Sequence, residues 1–210
     1  MVLTVPQPRA PLDDSLAQWY ERGLGWAVSE GPPVQLLTGL RFDVLELPAS
    51  AGFALLERYE RTGPVALVGR RMRLLVAAGS ADELPGLLDW LEWGGVALDL
   101  RAIGAGGRMT APVPPGWAGS RGAAVWLRPP EPGCEIEARL PSFTGVTQCG
   151  GSGDGDVSDA SRAAQGGRAA GLSLVRLVAA AATECHRARL FHAKSPGGTG
   201  NAGTQPFCFS

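Results

Sequence analysis

The sequence predicts an α+β fold with a mixed or antiparallel sheet and flanking helices. Two observations point there: strand and helix signals alternate irregularly along the chain, and hairpin signals outnumber the crossovers a doubly wound sheet needs. A third narrows it. The three stretches that read most clearly as strands carry charged residues among apolar ones: Arg41-Phe42-Asp43-Val44-Leu45-Glu46-Leu47-Pro48, Gly69-Arg70-Arg71-Met72-Arg73-Leu74-Leu75-Val76 and Leu98-Asp99-Leu100-Arg101.

Taken in order, residues 1–12 carry three prolines and no periodicity and read as a flexible lead-in. Asp13, Asp14 or Ser15 caps a helix running to about Arg22, with Leu16, Trp19 and Tyr20 on one stripe and Gly23 ending it. Trp26–Val28 reads as a short strand stopped by Gly31-Pro32-Pro33, and Val34–Thr38 as a second apolar run before the central strand. Ser50 is placed to cap a helix over Ala51–Arg61, whose Phe53, Leu56 and Tyr59 recur at helical spacing, and Gly63-Pro64 breaks it. Val65–Val68 and Met72–Ala78 form a hairpin with Gly69 and Arg70 at its turn.

Ser80-Ala81-Asp82-Glu83 is a capping-box sequence ahead of Leu84, Leu87, Leu88 and Leu91, although Pro85 moves the expected helix start a few residues on. Val96–Leu100 reads as the next strand, Gly104–Gly107 as a turn into Met109–Val113, and Ala123–Leu127 as the last strand. Trp90 and Trp93 are assigned to the core, and Trp117, on a Pro-Gly loop, to a stacking role near the site.

These signals divide the chain into a body over 13–140, a disordered linker over 141–171, a helix over 172–192 and a flexible tail over 193–210. Ser173 caps the late helix, and Leu174, Leu177, Val178 and Ala181 make its apolar stripe. That stripe needs a cover: the body, a second copy or a partner protein. Phe207 and Phe209 give the tail the look of a docking peptide.

Strand parity defines the candidate site. Val44, Glu46 and Pro48 share one face of the central strand, and Asp43, Leu45 and Leu47 the other. Glu46 thus stands where a core prefers an apolar residue. Arg71 and Arg73 point together, as do Asp99 and Arg101, so one sheet surface gathers carboxylates and guanidinium groups.

The order of elements resembles the N-terminal domain of bifunctional DNA primase/polymerases, the prim-pol branch of the archaeo-eukaryotic primase superfamily. Trp19-Tyr20-Glu21-Arg22-Gly23-Leu24-Gly25-Trp26-Ala27-Val28, the three strands and Gly106-Gly107-Arg108-Met109-Thr110-Ala111-Pro112-Val113-Pro114-Pro115 carry the likeness, over about residues 15–128. It implies a polymerase site made of an Asp-x-Asp pair, a His and a third Asp. Placed on this chain, the pair falls on Glu46 and Pro48, the His on Arg73 and the third carboxylate on Asp99.

Nucleotidyl transfer of this kind needs two divalent cations ~3.5–4 Å apart. With Pro48 and Arg73 in place of two ligands, the resemblance implies a degraded catalytic set in which Glu46 and Asp99 remain as residual carboxylates, able to hold Mg or Mn only if activity survives. It also implies nucleotide or single-stranded DNA binding through Arg71, Arg73, Arg101 and Arg108. Arg73 either grips a phosphate or pairs with Glu46 across the sheet and neutralises the former metal site. Three functions stay open: a non-catalytic binder, a weak nucleotidyltransferase, and an interaction module using the helix over 172–192 and the terminal aromatics.

Composition bounds these readings. Net charge is −1 over 210 residues, so nucleic-acid binding has to come from a local patch. Lys194 is the single Lys, a bias read first as genomic and only second as anion recognition. No window approaches the ~20 apolar residues of a membrane span, and a cytoplasmic location is expected. Cys134, Cys149, Cys185 and Cys208 follow neither a disulfide nor a zinc spacing, and both histidines fall in the late segment, outside the body.

Overall fold

A computed structural model of the protein describes residues 12–29, 32–133, 136–143 and 172–194. Its elements are α1 (Leu12–Gln18), continued by a π-helical stretch (Trp19–Leu24), then β1 (Gln35–Leu37), β2 (Phe42–Pro48), α2 (Ala49–Arg58), β3 (Val65–Val68) and β4 (Arg71–Ala77). They continue with α3 (Ser80–Trp90), β5 (Arg101–Ile103), β6 (Arg108–Thr110), β7 (Val125–Arg128) and α4 (Leu174–Lys194).

Period-two alternation builds two layers on one sheet. The five strands run in the order β5-β2-β4-β3-β7 and every pairing is antiparallel. On one face Leu45, Leu47, Val65, Met72, Leu74 and Val76 form a buried cluster with residues of α2, α3 and α4. On the other Phe42, Val44, Ala66 and Leu75 pack with Tyr20, Trp26, Leu36 and Met109, which come from the N-terminal stretch and from the small sheet of β1 and β6. With both faces covered, β2 is buried from Phe42 to Leu47. The fold is α+β, with antiparallel sheets and four α-helices among the described residues.

The hairpin is where alternation and turn chemistry place it: Gly69, at φ 56°, and Arg70 lie between Val68 and Arg71. That turn sets the β3–β4 register, with Val68 opposite Arg71 and Ala66 opposite Arg73, and the separate β2–β4 pairing puts Glu46 opposite Arg73 and Pro48 opposite Arg71.

Other expectations change. Val96–Leu100 is irregular, and the strand begins at Arg101. After α3 the chain turns at Glu92 with φ 63°, Trp93 N–H reaches back to Leu88 O at 2.7 Å, and Val96 N–H is spent on Trp93 O at 2.9 Å instead of on a ladder. Helix α3 starts at Ser80 despite Pro85, with the Ala81 N–H held at 2.9 Å by Asp43 Oδ2 from the neighbouring strand. Gly25, not Gly23, is the left-handed C-cap of the first helix. Trp26–Val28 forms only a single bridge, from Val28 to Leu36. Trp90 stands 71% exposed instead of in the core, whereas Trp93 packs against the core and the ring of His186.

The late helix finds its cover in the body. Leu174, Leu177, Val178, Ala181, Ala182 and Cys185 of α4 are buried in the same cluster as Leu45 and Leu55, so of the three covers the sequence leaves open, the body is the one the structure contains. Ser173 accepts from the Arg176 N–H at 3.5 Å, as the capping signal predicts. The remainder of the expected lead-in, linker and tail, with Cys134, Cys149, Cys208 and the terminal aromatics, lies outside the described residues. Among the described residues no helix is long and apolar enough to cross a membrane.

Candidate functional site

Glu46 sits at the centre of an arginine network because register puts one on each side of it: Arg73 opposite on β4 and Arg101 opposite on β5. Its side chain is 1% exposed. Arg73 Nε donates to Oε2 at 2.7 Å. Arg101 donates to Oε1 through Nε at 2.8 Å and also through Nη2, and Arg71 Nε reaches the same oxygen at 3.2 Å. Arg71 then extends Nη1 to Asp99 Oδ2 at 2.6 Å. One guanidinium therefore bridges the two carboxylates.

Burial alone would raise the Glu46 pKa, but the hydrogen bonds and charges of Arg73 and Arg101 outweigh it and hold the carboxyl below its ordinary value. For Arg71, burial works against the charged form, yet the bond to Asp99 and the charges of Asp99 and Glu46 raise its pKa. Both groups are ionised at neutral pH. Arg71 Nη2 and Arg73 Nη1 remain buried without a hydrogen-bond partner.

The network adjoins an open cleft of about 860 Å³. Arg70, Arg71, Asp99 and Arg189 supply its charges, the start of α2 at Ala49 and Ser50 forms one end, and Leu98, Cys185 and Ala188 give it an apolar side. The Ala49 N–H is taken by Arg70 O at 2.9 Å. Arg189 donates to Ala97 O, tying α4 to the irregular segment that carries Asp99. Burial pushes the Cys185 thiol up to about 12, so it enters the cleft wall as a neutral group.

Of the residues singled out by sequence, Glu46, Arg71, Arg73, Asp99 and Arg101 come together, and Arg108 does not. It stands exposed on β6, paired with β1 in the separate two-stranded sheet. Trp117 lies on the loop before β7, the edge strand opposite β5, away from this cluster. Sequence reasoning missed Arg70 and Arg189 as cleft residues. The turn position of Arg70 was the available signal, while nothing local to α4 links Arg189 to a loop 92 residues earlier.

The metal pair of a nucleotidyltransferase does not fit this donor set. Both oxygens of Glu46 are taken by guanidinium groups, Pro48 offers no ligand, and Arg71 occupies the space between Glu46 and Asp99. Asp43 is no substitute: it lies on the opposite face, at the start of α3. Among the described residues no three His, Cys, Asp or Glu side chains gather in a metal-binding arrangement. No protein-family model, curated protein or solved structure matches the chain.

Proposed function

We propose that this domain is a non-catalytic relative of bifunctional DNA primase/polymerases that binds the phosphate groups of a nucleotide or a nucleic-acid strand in its arginine cleft. The observation that carries the reading is the Arg71 bridge between Glu46 and Asp99. A guanidinium in that position supplies a fixed positive charge where a nucleotidyltransferase holds a cation, which favours oxyanion binding and removes the means of activating an attacking hydroxyl. Arg70, Arg101 and Arg189 add charge around it. Counting Arg71 and Arg73, five guanidinium groups stand against the carboxylates of Glu46 and Asp99.

The test is titration of the protein with nucleoside triphosphates and with short single-stranded DNA, with and without Mg or Mn, at two salt concentrations. The reading expects binding that needs no metal, weakens at the higher salt and is lost in Arg70→Glu, an exposed position whose change leaves the Glu46 network intact. Binding that depends on the metal would restore the enzyme reading, and no binding at low salt would sink the proposal.

A further inference from the structure

The cleft already contains an anion of its own. Asp99 is the one acidic side chain among the described residues that line it, against Arg70, Arg71 and Arg189. Its carboxylate is 63% exposed, comes from the irregular segment before β5, and is held by the Arg71 Nη1 contact at 2.6 Å. That contact serves only one terminal nitrogen of Arg71 and leaves Nη2 buried without a partner. An oxyanion in the cleft is able to take the Nη1 donor once the carboxylate moves aside.

The backbone around Asp99 is better fixed than its side chain. Cys185 Sγ lies 3.8 Å from Asp99 O, and Arg189 donates to Ala97 O two residues earlier. Helix α4 thus anchors the segment, while the carboxylate itself has open solvent to turn into. Leaving Arg71 costs Asp99 little, because an exposed carboxylate regains its hydration. Glu46 has no such freedom, being buried with both oxygens bonded.

We propose that Asp99 acts as a built-in competitor in the phosphate cleft, occupying Arg71 until a polyphosphate or phosphate-ester dianion displaces it. This rests on the phosphate-binding reading above and adds a role opposite to that of a metal-binding carboxylate, since losing Asp99 then strengthens binding. Ligand and carboxylate exchange on the same guanidinium, so the cleft discriminates by charge: a monoanion gains little over Asp99, and a dianion gains more.

The experiment is calorimetric titration of inorganic pyrophosphate into the full chain at low salt, comparing wild type, Asp99→Asn and Arg70→Ala, with thermal melting to show that each is folded. Wild type is expected to bind, Asp99→Asn to bind about fivefold more tightly because one repelling charge ~4 Å away is gone, and Arg70→Ala to bind more weakly. Equal or weaker binding by Asp99→Asn, with wild type still binding, overturns the competitor role and leaves the phosphate-binding reading standing. Absence of binding by both wild type and Asp99→Asn overturns the two together.

Discussion

Glu46 and Arg73 face each other in register across β2 and β4, and Arg73 Nε donates to Glu46 Oε2 at 2.7 Å on a carboxylate that is 1% exposed. A buried ion pair of this kind is a weak source of net stability but a severe liability when one member is lost. Glu46→Ala is therefore expected to destabilise the domain by about 3–5 kcal/mol, read as a lower midpoint in urea, because Arg73 is left largely buried without its counter-charge while Arg71 keeps only Asp99. The double variant Glu46→Leu with Arg73→Met should recover a large part of that loss, since apolar side chains of similar volume suit the surrounding layer.

Acid separates Glu46 from Asp43. The Glu46 pKa is lowered in the folded state, so its contribution is present above its ordinary value of 4.5 and is lost as pH falls through the folded pKa. Asp43 has the opposite sign: burial raises its pKa above 3.8 despite the backbone bond from Ala81, and its Oδ1 has no partner. The stability tied to Asp43 is complete below pH 3.8 and is lost as pH rises through the folded pKa. Denaturation across pH 3 to 7, values within the ordinary carboxylate and neutral range, should show Asp43→Asn gaining on wild type as pH rises. A constant difference would show that Asp43 does not titrate differently on folding.

Leu177→Ala in α4 should cost about 2–5 kcal/mol, the range for emptying a filled core site, because the side chain is fully buried. Removing residues 172–210 should do more than that and yield an insoluble or unfolded product in circular dichroism, since Leu45, Leu55 and Leu84 then lose the helix that covers them. A folded, soluble truncation would show that α4 is dispensable.

Gly39→Ala tests the seam between β2 and the β5–β6 turn. Gly39 has φ 86°, and a Cβ built there comes within 2.2 Å of the Ala105 backbone. The expected loss in thermal or urea unfolding exceeds the ~1–2 kcal/mol of a left-handed conformation alone, because backbone on both sides has to shift.

The parts of the site legible in sequence are those with local rules behind them. Glu46 stands out in the sequence as an acid on an apolar face, and strand parity puts Arg71 and Arg73 together on β4, whereas the β2–β4 register that sets Arg73 opposite Glu46 is a long-range pairing with no local signal. Pairing of Arg73 with Glu46 was one of two open readings, and it is the contact the structure contains. Asp99 reads in the sequence as a strand residue, whereas it precedes the strand, and a three-residue β5 is too short to display alternation. Arg108 enters the sequence reading through the family resemblance, and single-strand patterning carries no record of which sheet its strand joins. The stripe on α4 announced that it needed a cover without naming it. Helix periodicity reports a face and not its occupant.

Helix α4 sets the order in which this protein becomes itself during synthesis. Ala188 and Arg189 close one side of the cleft and Arg189 tethers the Asp99 segment, yet both are translated after every strand of the sheet. A nascent chain stalled between Arg128 and Leu174 holds all seven described strands, an uncovered apolar face and a cleft with a missing wall. The cleft wall is completed only by the last described element to leave the ribosome, so a product terminated before it exposes an apolar face and lacks Ala188 and Arg189.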